Sequence, residues 1–376
     1  NQKEFKGKAN ISLLSAQTTM EGPFYKGAWI LSGRRTYFDL VLPKVLPDNI
    51  ATNIPPYFFY DVQGHVFSDI SSKDRLSLSY YTGIDDILFD TFGLDGRWGN
   101  NTISGHWRRV FSERLVGNFL VANSKFRTMF GLGGDGGLVN DNIIDDQTIA
   151  GDFSWFKSPN ATVKFGAQHK TLGFEYFSKF QDSVAFRIEN APVELGSYLK
   201  MKYRWNELLI LEPGIRMNYY NVYPDSLYPD LRFGLKYLLT DDRYINLSVG
   251  NYHQFISTFQ DDFNPSILDN WIAVDESVAP GKSVQFVLGY EEYIRNMYKI
   301  QVEGYYKDLK NLLTYEERRS STDAQVSDEK LSDIVTPADG YAYGVELFGQ
   351  KMAGKVSGWL AYTFSVSRKK MNSIYS

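Results

Sequence analysis

The chain has 376 residues, with 40 basic and 44 acidic side chains, four histidines and no cysteine. The missing cysteines exclude disulfides, thiolate metal sites and a cysteine nucleophile, and the mildly acidic balance gives a nucleic-acid partner no electrostatic support. Apolar runs of about four residues, as at 208–211 and 359–362, exclude a transmembrane helix, which needs about 20. They do not exclude a membrane barrel, whose strands are half polar, and Phe, Tyr and Trp make up 16% of a chain whose mean hydropathy is only −0.32.

At the N-terminus, Asn1 to Phe5 show no start Met, basic segment or apolar stretch, so no signal peptide is read there. The tail at 369–376 has no evident stop, and both ends suggest a piece of a longer chain. From residue 6 onward the dominant signal is a period of two. It gives about 16 expected strands, at 6–18, 27–40, 57–69, 73–83, 99–111, 114–127, 147–157, 160–172, 192–205, 207–221, 229–239, 243–255, 281–292, 295–309, 340–351 and 355–368. The faces of 99–111 and 114–127 alternate too poorly to assign. Elsewhere one face is apolar and the other polar. Val163, Phe165 and Ala167 oppose Lys164, Gln168 and Lys170. Leu195, Leu199, Met201, Tyr203 and Trp205 oppose Lys200, Lys202 and Arg204. Leu209, Leu211, Ile215, Met217 and Tyr219 oppose Glu212, Arg216 and Asn218. Tyr298, Ile300 and Val302 oppose Lys299, Gln301 and Glu303.

These strands average about a dozen residues, against about five or six in ordinary globular sheets, and about 9–11 tilted residues cross a bilayer. Short turns are expected at 70–72, 112–113, 158–159, 206, 240–242, 293–294 and 353–354. Long loops are expected at 83–98, 128–146, 172–191, 256–281 and 309–339. The Pro-rich stretch 40–56 is an exception on the short side. Alternating short and long connections is the layout of an outer-membrane barrel. Aromatics close the apolar faces, among them Tyr203, Trp205, Tyr219, Tyr290, Tyr362 and Phe364, and such rings favour the membrane interface. The fold class expected is all-β, a transmembrane antiparallel up-and-down β-barrel.

Two sets of residues carry a family resemblance. Glu21-Gly22-Pro23-Phe24 followed by Leu31-Ser32-Gly33-Arg34-Arg35-Thr36-Tyr37 resembles the barrel start of TonB-dependent outer-membrane receptors, where an EGP turn after the first strand leads into an SGRRxY second strand. The stretches 57–61 and 74–81 look like the next hairpin, and 339–347 and 358–365 like a later one. The matches keep their order from one end to the other, so the resemblance covers essentially the whole chain. It implies a plug domain followed by 22 barrel strands, of which 1–376 would hold about 16, with the plug and the last strands absent. It further implies the outer membrane of a Gram-negative-type bacterium. The function implied is import of a scarce solute (siderophore, cobalamin, glycan or peptide) powered through the TonB complex. The partners implied are outer-membrane lipid, the protein's own plug, the TonB complex, the solute and a surface lipoprotein. Of Arg34 and Arg35, which face opposite ways on a strand, one would reach the lumen and the other the periplasmic interface, where a long side chain can snorkel; two register-fixing surface arginines are the alternative.

Other constellations carry less. The loop from Asp135 to Asn142, with Asp145 and Asp146, has oxygen ligands suited to calcium but not the EF-hand spacing, so it reads as a solvated acidic loop, as do Asp85, Asp86 and Asp90. Gly131-Leu132-Gly133-Gly134 follows no βα pattern and is no phosphate loop. His65, His106, His169 and His253 have no paired spacing for zinc. No nucleophile motif is found, so no enzyme activity, cofactor or metal is expected. Solute contacts are expected in the long loops and upper lumen, because loops on a rigid scaffold carry recognition. The candidates are Arg97, Trp98, Tyr223, Tyr228, Phe259 and Trp271, aromatic and Arg side chains of the kind that anchor interfaces; bracing between loops is the competing role. Two other functions stay open. One is a passive 16-stranded porin, with Lys200, Lys202, Arg204, Arg232 and Lys236 favouring anions. The other is a soluble secreted β-rich binding protein.

Overall fold

The computed structural model describes residues 4–47, 56–89, 93–134, 136–181, 183–224, 226–259, 270–315, 330–333 and 335–371. Asp90 and Asp135, named above, lie outside them, as do both chain ends.

The strands are, in chain order, β1 (Lys6–Ile11), β2 (Ser15–Phe24), β3 (Gly27–Thr36), β4 (Tyr57–Asp69), β5 (Asp74–Phe89), β6 (Leu94–Ser112), β7 (Leu115–Leu132), β8 (Leu138–Ser158), β9 (Ala161–Phe180) and β10 (Ser183–Asn190). They continue with β11 (Val193–Arg204), β12 (Leu209–Tyr220), β13 (Leu227–Thr240), β14 (Arg243–Gln254), β15 (Ile256–Phe259), β16 (Asn270–Ala273), β17 (Gly281–Ile294), β18 (Tyr298–Tyr315), β19 (Val335–Lys351) and β20 (Gly358–Met371). One helix, α1 (Phe38–Val45), joins β3 to β4. Eighteen strands form a single antiparallel sheet in which neighbours in sequence are neighbours in space. β14 pairs directly with β17, and β15 and β16 form a separate two-stranded ribbon between them. β10 pairs the upper part of β9 and β11 its lower part, so these two are one traverse broken at Ala191 and Pro192. Among the described residues β1 pairs only with β2 and β20 only with β19, which leaves a partial barrel open between them.

The ladder registers place side chains on two faces with opposite chemistry. Val121 lies opposite Ile149, Leu199 beside Ile215 and then Leu231, and Leu247 beside Leu288. These apolar side chains remain exposed, Leu231 at 60% and Leu288 at 59%. Exposed apolar surface on this scale is incompatible with a soluble monomer and is what a bilayer solvates. Tyr298, Ile300 and Val302 share this outer face, and Lys299, Gln301 and Glu303 the opposite one, as the alternation predicts. The inner face is polar. It holds Ser32, Gln63, His65, Tyr81 and Thr102 on β3–β6 and Lys200, Glu212 and Arg232 on β11–β13.

Several expectations are corrected. The span 6–18 is two strands, not one. The chain reverses at Ser12, whose hydroxyl accepts the Ser15 N–H at 3.1 Å while its own N–H reaches the Ser15 carbonyl at 2.9 Å. The sheet therefore has 17 traverses, counting β10 and β11 as one. Glu21, Gly22 and Pro23 lie inside β2, just before the turn at Tyr25 and Lys26, rather than forming a turn themselves. The expected strand 27–40 stops at Thr36 and becomes α1, with Asp39 in the helix's first turn, where the helix dipole favours a carboxylate. This connection lies with the long loops, not the short ones, because β3 runs up from the turn at Tyr25 and Lys26. Arg34 and Arg35 consequently stand at the extracellular end rather than the periplasmic one. The expected loops 83–98, 128–146 and 172–191 are largely strand: β5 to β10 continue as tall hairpins. The acidic residues there belong to ladders with basic neighbours. Asp86 bonds Arg97 at 2.6 Å, Asp141 bonds Arg127 Nε at 3.0 Å, and Asp146 bonds Lys170 at 3.1 Å. Among the described residues no group of carboxylates and histidines is arranged to hold a metal ion.

Candidate functional site

Among the described residues two buried hydrophobic clusters sit at the long-loop end. Of the segment between β14 and β17, the described part from 270 to 280 folds back over the inner face of the preceding strands, and main-chain groups of that part are gripped by side chains from the wall. Asn142 on β8 donates to the Trp271 carbonyl at 2.8 Å and accepts the Trp271 N–H at 2.9 Å, so one carboxamide completes a ladder step that no strand supplies. Asn190 donates to the Ala273 carbonyl at 3.2 Å and the Tyr220 hydroxyl to the Val274 carbonyl at 2.7 Å. Around these bonds Tyr220, Tyr228, Phe255, Ile272, Val274 and Val278 form a buried cluster. Tyr220 stacks on Phe255 at 4.7 Å, and Tyr228 meets Phe255 edge-on at 5.1 Å. Leu172 and Phe174 pack against Ala273 from β9.

The same segment is tied to the connection between β18 and β19. The Asp275 carboxylate accepts the Leu331 N–H at 2.8 Å, the Ser277 hydroxyl accepts the Ser332 N–H at 3.0 Å, and Lys330 reaches Glu276 at 2.8 Å. Asp275 and Ser277 thus satisfy the free N–H groups of the one-turn 3-10 helix Leu331–Asp333, as capping side chains do. Leu331 is wholly buried.

Below this cap a chain of polar contacts crosses the inner wall. Gln168 donates to Glu194 at 3.0 Å, and Arg216 reaches Glu194 at 3.4 Å and Asn218 at 2.5 Å. Asn218 donates to the buried Asp230 at 3.1 Å, and that carboxylate also meets Asn251 at 3.2 Å and the His253 ring at 2.7 Å. Buried carboxylates need such partners, because an unpaired one is very costly. Lower still, the inner face of β11–β13 carries Lys200, Lys202, Arg204, Arg232 and Lys236 around Glu212.

The candidates from sequence divide between two places. Tyr228 is in the cap cluster and Tyr223 packs against it. Trp271 sits on β16, its main chain held by Asn142 and its side chain 37% exposed; Phe259 lies opposite Asn270 in the same ribbon. Arg97 and Trp98 are elsewhere, on β6, with β7, β8, β9, β10/β11 and β12 between them and β13. Arg97 faces outward in its pair with Asp86, and Trp98 faces inward opposite Asp85 and Thr128. Sequence reasoning missed Asn142, Asn190, Tyr220, Asp230 and Asp275. Their partners are main-chain groups or distant side chains, and no local spacing marks them.

Ser32 shares a 2.9 Å hydroxyl bond with Thr19, and Arg34 pairs with Asp61 at 2.7 Å over the Phe59 ring. Arg35 turns to the other face, pairing with Asp39 at 2.8 Å over Phe58. The Tyr37 hydroxyl donates to the carbonyls of Ser12 and Ser15, which ties the first hairpin to α1. Gly33, between Ser32 and Arg34, lies opposite Val62.

A family model described as TonB dependent receptor-like, beta-barrel, matches residues 14–375. The chain belongs to that family. No curated protein matches it by sequence. Among solved structures, the siderophore receptor PirA from Pseudomonas aeruginosa superposes with a TM-score of 0.69 at 11% identity, over 99% of this chain and 64% of that one. The FrpB iron transporter from Neisseria meningitidis gives 0.70 at 10% identity, over 98% and 62%. The RagAB peptide importer gives 0.59 at 9% identity, over 96% and 51%. At these identities the likeness is one of fold, and the chain spans less than two-thirds of each neighbour's length. As a TonB-dependent receptor barrel, the protein resides in the outer membrane of a Gram-negative bacterium. Its short turns therefore face the periplasm and the cap faces outward.

Proposed function

We propose that residues 1–376 are the barrel part of an active importer that captures a scarce solute at its outer mouth. Entry is gated by a plug domain and powered through the TonB complex, and the barrel makes and breaks no bonds. The observation that supports this most is the cap itself. A selective receptor needs a shaped, narrowed mouth, and this one has a hydrogen-bonded segment folded into the lumen above a charged wall. A general-diffusion pore needs a wide aqueous channel. The solute meets the mouth through Trp98 on the tall wall and through Tyr223 and Trp271 on the cap. Tyr228 braces the cap, and Arg97 holds the rim with Asp86.

The test uses the full-length protein in cells with an intact or an inactivated TonB complex, supplied with labelled ferric siderophore, cobalamin, oligosaccharide and peptide. One solute should accumulate only when the complex is intact, while its surface binding persists in both. Equal accumulation in the two strains would instead establish passive passage. Alanine at Trp98 and Trp271 together should weaken surface binding of that solute about tenfold or more, with outer-membrane insertion unchanged. Unaltered binding would remove this pair from the site.

A further inference from the structure

The inner wall of β11–β14 holds a concavity of about 430 Å³. Its floor is Gly214, and the register surrounds that glycine with charge. Lys200 is its ladder partner on one side and Arg232 on the other, and Arg216 and Glu212 lie two residues along the strand in either direction on the same face. Gly234, beside Glu212, extends the floor, and Tyr198 and Tyr252 wall the pit. The glycine makes the depression. A Cβ at 214 would sit 3.5 Å from the Leu199 carbonyl and 3.6 Å from the Lys200 Cβ, ordinary contact distances, so nothing in the backbone forbids a side chain there.

Each of the three cations has a carboxylate neighbour, but each of those carboxylates also serves another donor. Arg216 is aimed by Asn218 and Glu194, Arg232 is stacked over the Tyr252 ring at 4.5 Å, and Lys200 touches Glu212 at 3.1 Å. Glu212 is shared with Lys202 at 3.5 Å, so one carboxylate serves two lysines. Arg232 lies 3.7 Å from Asp230, whose oxygens already accept from Asn218, Asn251 and His253. Arginine forks and an ammonium group around an open pit suit a carboxylate or phosphate oxygen.

We propose that the pit over Gly214 is an anion subsite in the lumen, and that the imported solute carries a carboxylate or phosphate group which rests there below the cap. This deepens the import reading and relies on it only for the direction of travel, since binding is measured without an energised membrane. Failure of binding and failure of energised uptake are thus separate results. The experiment is calorimetric titration of full-length protein in neutral detergent at low ionic strength, with citrate as the carboxylate probe and inorganic pyrophosphate as the phosphate probe.

Saturable binding of at least one probe is expected, and the stronger of the two identifies the group. Lys200→Gln with Arg232→Gln should weaken it at least tenfold, as expected for losing two charge-assisted hydrogen bonds. Gly214→Val keeps every charge but fills the pit, and should weaken it as much; this variant separates a shaped subsite from diffuse attraction. Lys307→Gln, on the inner face of β18, should leave binding unchanged. Heat-modifiable migration on electrophoresis checks that each variant is folded. The proposal is overturned if neither probe saturates, as when the carboxylates of another segment of the same protein fill the pit, or if binding survives both the double glutamine variant and Gly214→Val.

Discussion

Replacing Leu288 with Arg should lower the folding stability of the full-length protein in lipid vesicles by about 2–4 kcal/mol, the cost of a cation at the bilayer midplane on a lipid-facing strand. Leu288 lies opposite Leu247 on β14 and Gly304 on β18, within the apolar band of the outer face. The adjacent Val287 points the other way, opposite Ser248 and Tyr305. Arg at 287 meets a polar, water-accessible wall and should cost well under half as much. Equilibrium unfolding in urea from vesicles measures both. The contrast between neighbours is what tests the fold, because a slip of one residue exchanges the two faces along the whole strand. Equal losses, or a larger loss at 287, would mean that the register of β17 is wrong.

The second large effect is expected at Asn142. Its carboxamide satisfies both the N–H and the carbonyl of Trp271 and also donates to the Glu175 carbonyl at 3.3 Å, all within a site where Asn142 itself is 1% exposed. A buried group stripped of its partner costs about 1–3 kcal/mol, and Asn142→Ala strips two on Trp271 alone. Opening of the cap should therefore become easier by about 2–4 kcal/mol, read as Trp271 amide exchange faster by about 30-fold or more, since 1.4 kcal/mol is tenfold. Asn142→Asp keeps an acceptor for the N–H but sets a buried carboxylate against the Trp271 and Glu175 carbonyls, and should cost at least as much as alanine. Unchanged exchange in the alanine variant would show that the hydrophobic cluster alone holds the segment.

The sequence was legible wherever lipid lies on one side of the sheet. Along 195–205, 207–221 and 295–307 the alternation gives both strand and face, because lipid and water impose opposite demands on successive residues. It fails where that contrast ends. Above the bilayer β6 to β9 have water on both sides, and charged pairs such as Lys125–Asp145 occupy the outer face. Apolar periodicity fades there and the segments read as loops. The turn at Ser12 was hidden because β1 and β2 alternate through it without a Gly or Pro. Helix α1 was hidden because Pro43 was read as a loop signal. The site was the least legible part. Asn142 and Trp271 are 129 positions apart, and a single Asn has no pattern. The basic inner rows were visible, but the pit among them depends on Gly214, which becomes significant only once the register places Lys200 and Arg232 on either side.

The unequal lengths of the strands shape the rim. β8 has 21 residues and β9 has 20, whereas β12 and β14 have 12 each. At about 3.3 Å per residue and a tilt of about 45°, the long strands rise about 50 Å along the membrane normal and the short ones about 28 Å. Only the latter height is close to that of the hydrocarbon layer. Among the described strands the rim therefore dips at β12–β14, between taller walls at β6–β9 and at β18–β19, which have 18 and 17 residues. The cap is rooted at the notch of this rim, on the strands that end nearest the bilayer surface.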